Sequence, residues 1–361
     1  MKIVVLANSD EGLYQFRNEL IIKLLQDNQV VLSMPSGKYL KYFRQIGCSV
    51  VETEFNRHGT NLMDEMKLFS AYKKLLIEEN PDIVFTYTIK PNIYGGMACA
   101  TLNIPYVVNI TGLGMAVENK GPLQYIVLLL YRIGLRKAQK VFFQNISNEQ
   151  FMLSKKIVNK SYDLLPGSGV NLAKYSVIEY PREKKVNFLF VARLMKEKGI
   201  DIYLDAAEAI HKKYPNTMFH ICGTQESEYD MTRLNSLIKE GIIIYHGEVD
   251  DISAMHKTSS CTIHPTYYPE GLSNVLLESC ACGRPIITTN RPGCREVVDD
   301  GVNGYLVEEK NGEDLIEKIE MFLSKSIEER KQMGIAGRRK VEKEFDRQIV
   351  IDKYLAEMQR V

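Results

Sequence analysis

The segment Pro269-Glu270-Gly271-Leu272-Ser273-Asn274-Val275-Leu276-Leu277-Glu278 sets two carboxylates eight residues apart around a Gly-Leu-Ser step. It follows a β-branched apolar run that ends near His264-Pro265, so it reads as strand, loop and helix start. At a helix start the backbone N–H groups, here those of Gly271, Leu272 and Ser273, lack partners within the helix and sit at the positive end of its dipole, which suits a phosphate. Ser273 is also a candidate cap. Eight helical residues turn through about 800°, about 80° past two whole turns, so Glu270 and Glu278 can border one groove. Carboxylates accept hydrogen bonds from sugar hydroxyls, including the ribose 2′ and 3′ hydroxyls. A Glu-x7-Glu spacing also arises on solvated, charged helices. Here Leu276-Leu277 and the run Ser279 to Cys282 surround Glu278 with residues of a buried helix.

A second cluster, Val191-Ala192-Arg193-Leu194-Met195-Lys196-Glu197-Lys198-Gly199, begins where an apolar strand gives way to a basic loop. Arg193 and Lys198 are placed to neutralise a diphosphate. Open α/β sheets bind ligands at the carboxyl ends of their strands, and both loops fall at such ends.

These loops need a sheet to hold them. Short apolar runs recur at Ile3 to Ala7, Val30 to Met34, Ile83 to Tyr87, Tyr106 to Ile110 and Val141 to Gln144. Between them Leu13 to Gln26, Met63 to Glu79 and Leu123 to Lys137 have the length and period of crossover helices, which predicts a parallel sheet covered on both faces. The pattern breaks around Leu165-Pro166-Gly167-Ser168-Gly169-Val170-Asn171 and the polar stretch that follows, the place for an interdomain linker. It restarts with Val186 to Ala192, Met218 to Cys222, Ile242 to Tyr245, Cys261 to His264 and Pro285 to Thr289. A second Rossmann-like unit follows. The tail from about Ser326 reads as two charge-rich helices separated near Phe345-Asp346. The expected domains are 1–165 and 166–344, with a final helix at about 345–361 packing back on the first.

Composition narrows the classes. At 361 residues the chain exceeds one typical core, and 45% hydrophobic with 25% charged residues is a globular balance. Lys plus Arg total 46 against 45 Asp plus Glu, so there is no global basic field for nucleic acid and any anion site is local. Seven cysteines without a CxxC pair read as buried, reduced thiols. The start lacks the pattern of a secretory signal, and the longest apolar run, Ile126 to Tyr131, ends at Arg132, far short of the about 20 residues that span a bilayer. A cytoplasmic protein is expected.

Several motifs mislead. Gly112-x-Gly114 after a strand imitates a dinucleotide fingerprint, but position 117 is Val rather than the third glycine. His246, His256 and His264 have no tight ligand spacing, so no metal is expected. No Gly-x-Ser-x-Gly elbow and no Walker-type loop occur.

Arg193-x4-Lys198 followed by Glu270-x7-Glu278, with Pro166-Gly167-Ser168-Gly169-Val170 and Gly293-Cys294-Arg295-Glu296-Val297-Val298, resembles the retaining GT-B glycosyltransferases of family 4 over essentially the whole chain. The resemblance implies an α/β, GT-B fold: two Rossmann-like, doubly wound domains facing across a cleft. It implies that Arg193 and Lys198 hold the donor diphosphate, Glu278 the ribose, and Glu270 with the following amides the donor sugar and phosphate, no cofactor being needed beyond the nucleotide-sugar substrate. Many members carry a His after the fifth strand of the first domain. Here that segment is Val108-Asn109-Ile110-Thr111-Gly112-Leu113-Gly114, leaving Thr111 and the Gly112 to Gly114 backbone as donor contacts.

Thr86-Tyr87-Thr88-Ile89-Lys90-Pro91-Asn92, with the Asn109 to Gly114 loop, resembles the branch that builds capsules, O-antigens and lipid-linked oligosaccharides, which usually extends a polyprenyl-diphosphate-linked saccharide. Lys90 and Asn109 are the acceptor-side candidates on that basis. Tyr125 to Lys140, with Arg132, Arg136, Lys137 and Lys140, reads as a core-packed crossover helix with a basic outer edge, a pattern that can also rest on anionic lipid. Two other classes fit the same architecture: a UDP-sugar epimerase, which would act without an acceptor, and a silent nucleotide-sugar binding protein, which would turn over nothing.

Overall fold

The β-branched runs form strands and the helical-period segments between them form crossovers, in two separate parallel sheets. In the computed structural model every residue is described except 57, 58, 60, 159, 160 and 184. The first sheet contains β1 Lys2–Leu6, β2 Gln29–Met34, β3 Ser49–Glu52, β4 Ile83–Tyr87, β5 Tyr106–Ile110, β6 Lys140–Phe143 and β7 Tyr162–Leu164. Their order is β3-β2-β1-β4-β5-β6-β7, with every pairing parallel. The second contains β8 Val186–Val191, β9 Thr217–Cys222, β10 Ile243–Tyr245, β11 Cys261–His264, β12 Ile286–Thr289 and β13 Gly304–Val307, in the order β10-β9-β8-β11-β12-β13, again all parallel. Central strands are buried on both faces, as the burial of all five residues of β4 and of β5 illustrates.

The two short edge strands β3 and β7 carry no run long enough to be read from the sequence. Several helices start where a small polar residue caps them. Ser9 accepts from the Gly12 N–H at 3.2 Å ahead of helix Asp10–Leu25, and Ser326 with Glu329 closes a capping box on helix Ile327–Glu344.

The chain divides into two compact units. The first takes Met1–Ser168, Pro269–Leu272 and Gln348–Val361, and the second takes Gly169–Tyr268 and Ser273–Arg347. Each has its own core, the first on both faces of its sheet and the second around Phe188, Phe190, Tyr203 and Phe219. The last helix, Arg347–Met358, brings Tyr354 edge-on to Phe85 at 5.0 Å between ring centroids and against Phe142 at 5.2 Å. All seven cysteines are buried thiols, and burial alone pushes Cys48 up to about 12. No helix among the described residues is long and apolar enough to cross a membrane.

Helix Pro122–Gly134 departs from its reading as a core helix with a basic outer edge. Leu128, Tyr131 and Gly134 face the core, but the outer side is apolar and bare, and the basic residues cluster towards the C-terminal end.

Candidate functional site

In the second sheet the strand order reverses between β8 and β11, neighbours that pair Cys261 with Phe188 and Thr262 with Leu189. The loop after β8 carries Arg193 and Lys198, and the loop after β11 leads to Glu270. Both chemistry-bearing loops therefore leave the carboxyl ends of the two strands at the switch point, where open α/β sheets bind ligands.

The loops are tied together. The Glu197 carbonyl accepts from the Tyr267 N–H at 2.8 Å and from the Thr266 hydroxyl at 3.2 Å. Gly199 joins the turn Lys196–Lys198 to helix Ile200–Lys213 at φ +79°, and a Cβ there would strike the Pro265 carbonyl, so only glycine allows this approach. Lys198 lies over the Tyr268 ring, 4.7 Å from its centroid. The Arg193 guanidinium meets the Glu226 carboxylate at 2.6 Å, with both side chains near half exposed. Such a pair contributes little and can be exchanged for a bound anion. Glu226, Tyr268 and Tyr175 were not legible as site residues, since nothing in their local spacing marks them.

Ser273 stands at the N-cap of helix Asn274–Ala281 but makes no side-chain capping bond. Its N–H donates to the Gly293 carbonyl at 2.7 Å, so the expectation that it offers a free amide is corrected. That carbonyl belongs to the Gly293 to Val298 segment, whose Glu296 carboxylate accepts from the Gly293 N–H at 2.8 Å. The amides of Gly271 and Leu272 have no acceptor among the described residues.

Glu278 accepts from the Tyr175 hydroxyl, with Lys174 and Arg347 nearby. Burial outweighs these three favourable partners and raises its carboxyl to about 7. Arg347 is anchored by the Gly169 carbonyl at 3.1 Å from Nη2.

Pro269–Leu272, distant in sequence, belongs to the first unit. Asn145, which caps helix Ile146–Ser154, also donates through Nδ2 to the Gly271 carbonyl at 2.6 Å. A Cβ at Gly271 would strike the Thr111 carbonyl and the Gln144 side chain. Gly112, at φ +144°, leaves room for 3.2 Å between the position of a Cβ and the Gly271 nitrogen. Thr111 and Gly112 thus pack against the segment that carries Glu270. Asn145 joins them as a residue whose helix-cap pattern hid this second role.

The acceptor-side candidates are placed differently from expectation. Lys90 donates to the Asn56 carbonyl at 2.6 Å, the Gly59 carbonyl at 2.8 Å and the Glu65 carboxylate, which uses all three ammonium protons. Asn109 is fully buried: Nδ2 donates to the Tyr354 hydroxyl at 2.8 Å, Oδ1 accepts from Gln144 at 3.3 Å and its carbonyl accepts from Asn92 at 2.8 Å. Neither side chain is open to an acceptor, because each completes an internal network. Beside Lys90, Thr88 holds φ +72° at the end of β4, an uncommon conformation for a β-branched residue and a mark of local strain at the carboxyl edge. Among the described residues no group of His, Cys, Asp and Glu is arranged to hold a metal ion.

Two parallel-sheet Rossmann-like units, with the loops that follow β8 and β11 leaving the switch point of the second sheet, define a GT-B architecture. Residues 174–340 match the family "Glycosyl transferases group 1" and residues 2–145 match "Glycosyl transferase 4-like". The chain belongs to this GT-B glycosyltransferase family. It is 27% identical, over all of its length and 99% of the relative's, to the N,N'-diacetylbacillosaminyl-diphospho-undecaprenol alpha-1,3-N-acetylgalactosaminyltransferase of Campylobacter jejuni. It is 26% identical, over 81% of its length and 82% of the relative's, to the capsular polysaccharide biosynthesis glycosyltransferase CapM of Staphylococcus aureus. The crystal structure of Anabaena HepE in complex with UDP and glucose superposes with a TM-score of 0.80 at 16% identity, covering 100% of this chain and 99% of that one.

Proposed function

We propose that the chain transfers a hexose or N-acetylhexosamine from a UDP-sugar to a hydroxyl of a polyprenyl-diphosphate-linked saccharide, with retention at the anomeric carbon, on the cytoplasmic side of a bacterial membrane. The observation that carries the donor half is the pairing of the Arg193–Lys198 loop with the loop leading to Glu270 at the ends of β8 and β11. The names of the Campylobacter and Staphylococcus relatives support the acceptor half.

As the glycosidic bond breaks, negative charge grows on the β-phosphate. Arg193, released from Glu226, stabilises it together with Lys198 and the free amides ahead of helix Asn274–Ala281. These groups take the part a divalent cation plays elsewhere, so turnover is expected to persist in EDTA. Glu278 accepts from the ribose hydroxyls and Glu270 orients the donor sugar. The departing phosphate oxygen takes the acceptor proton as the new bond forms on the same face.

The test is turnover of UDP- and GDP-sugars with and without extracted polyprenyl-diphosphate-sugar acceptors, in wild type, Arg193→Ala and Glu278→Ala. Acceptor-dependent UDP release should fall by about 10²–10³ in Arg193→Ala and be lost in Glu278→Ala. Acceptor-independent conversion would mean an epimerase, and binding without turnover a silent module.

A further inference from the structure

Two consecutive peptide groups in the segment Pro269–Leu272 share one donor. The Gly271 amide belongs to the peptide that carries the Glu270 carbonyl, and the Leu272 amide to the peptide that carries the Gly271 carbonyl. Neither amide has an acceptor among the described residues. Both carbonyls, however, accept from Asn145 Nδ2, at 2.6 Å for Gly271 and 3.3 Å for Glu270. A trans peptide is planar, with its N–H and C=O directed to opposite sides. A donor that draws the two carbonyls towards itself therefore turns both amides away from itself, side by side.

Asn145 is itself held. It is buried at the N-cap of helix Ile146–Ser154, where its Oδ1 accepts from the Asn148 N–H at 2.8 Å. With the oxygen committed to the helix start, the amide nitrogen has one direction, and its two protons match the two carbonyls. The segment that carries those carbonyls has little room to turn. A Cβ at Gly271 would strike the Thr111 carbonyl and the Gln144 side chain, and Leu272 packs beside Gly167, where at φ +62° a Cβ would lie 2.7 Å from that of Leu272. A flipped peptide would set an oxygen where an amide now stands and strand the buried Asn145 donor. Thr111, Gln144, Asn145, Gly167 and Pro269–Leu272 all belong to the first unit.

We propose that Asn145 is a positioning residue for the donor phosphate: by holding the Glu270 and Gly271 carbonyls it presents the Gly271 and Leu272 amides together as a ready-made pair of phosphate donors. Its hydrogen bonds also polarise the two peptide groups, which strengthens their N–H ends as donors. Amides fixed in advance need no reorganisation as charge grows on the phosphate. Capping alone would not select asparagine, since Asn, Asp and Ser cap a helix about equally well. Of the three only Asn also carries two N–H donors on the atom that meets these carbonyls. The proposal rests on the reading of the previous section that the Gly271 and Leu272 amides receive the β-phosphate.

The test is calorimetric binding of UDP and UMP, with turnover of the UDP-sugar alongside, in wild type, Asn145→Ser and Asn145→Asp. UDP ends in the charged phosphate that bond cleavage creates, so wild type should prefer it to UMP. Asn145→Ser should narrow that preference about tenfold, the worth of one hydrogen bond to a charged group. It should lower kcat by a similar factor, while the KM of the UDP-sugar, whose β-phosphate is esterified, changes less. Asn145→Asp sets an oxygen against the two carbonyls and should narrow the preference further. Because serine keeps the cap, the unfolding midpoint of Asn145→Ser should stay near that of wild type, and Asn145→Thr takes its place if that variant does not fold. Wild-type preference and kcat in these cap-retaining variants would reduce Asn145 to a helix cap and overturn the proposal alone. A wild type that binds UDP no tighter than UMP would sink the phosphate reading and the proposal with it.

Discussion

Glu278 shows at the scale of one residue how a buried carboxyl ties stability to pH. Its carboxyl sits at about 7 because burial disfavours the ionised form more than Tyr175, Lys174 and Arg347 favour it. The folded state therefore holds a proton that the unfolded chain releases near 4.5, so its contribution to stability is present at acid pH and is lost as pH rises from about 4.5 through 7. Glu278→Gln should accordingly raise the unfolding midpoint at pH 8 and leave it little changed at pH 5. In the same variant UDP-sugar binding should weaken and lose its dependence on pH near 7, which titration calorimetry would show. Lys90 yields a second prediction. With its side chain 14% exposed and that of Glu65 10%, Lys90→Met strands a buried carboxylate, at a cost of about 3–5 kcal/mol. Thermal unfolding should register that loss, and Lys90→Met/Glu65→Leu should recover most of it with sugar transfer intact. Loss of transfer in the stable double variant would restore Lys90 as an acceptor contact.

Among the elements, the loops rather than the strands decide the site, and glycines decide the loops. Gly271 passes so close to Thr111 that a methyl group has no room. Gly271→Ala should destabilise the protein by about 1–3 kcal/mol, as overpacking does, and lower turnover more than a surface substitution of equal size. A midpoint unchanged by Gly271→Ala would show that this contact is loose. Strand positions were legible because parallel strands buried on both faces need near-continuous apolar runs, as in β1, β4, β5 and β8. The edge strands β3 and β7 escaped, being short and without a fully buried residue. Ser273 was misread for a related reason: an N-cap position can be recognised locally, but the acceptor that takes its amide, the Gly293 carbonyl, comes from the next βα loop.

For the whole molecule, two cores and two sheets mean that a ligand need not protect the chain evenly. Arg193, Lys198 and Glu278 all lie in the second unit. Saturating UDP should slow hydrogen exchange in residues 193–198 and 273–278 of the second unit and leave the first-unit helices Leu62–Glu79 and Pro122–Gly134 unchanged, since local openings follow local contacts. A nucleotide held at about 100 times its Kd should add about 2.7 kcal/mol to the unit that binds it. Protection concentrated in the first unit would contradict the assignment of the donor loops.

By itself the sequence determined the α/β class, the doubling of the sheet and the loops of Arg193-x4-Lys198 and Glu270-x7-Glu278, because each depends on periodicity or spacing within a few turns of chain. Tertiary structure alone decided which polar groups are free. Arg193 meets Glu226, Lys90 is consumed by Glu65 and two carbonyls, and Asn109 is closed off by Tyr354, 245 residues away. It also decided that the outer side of helix Pro122–Gly134 stays bare. An apolar residue has the same letter whether a neighbour covers it or not, and only packing tells the two apart.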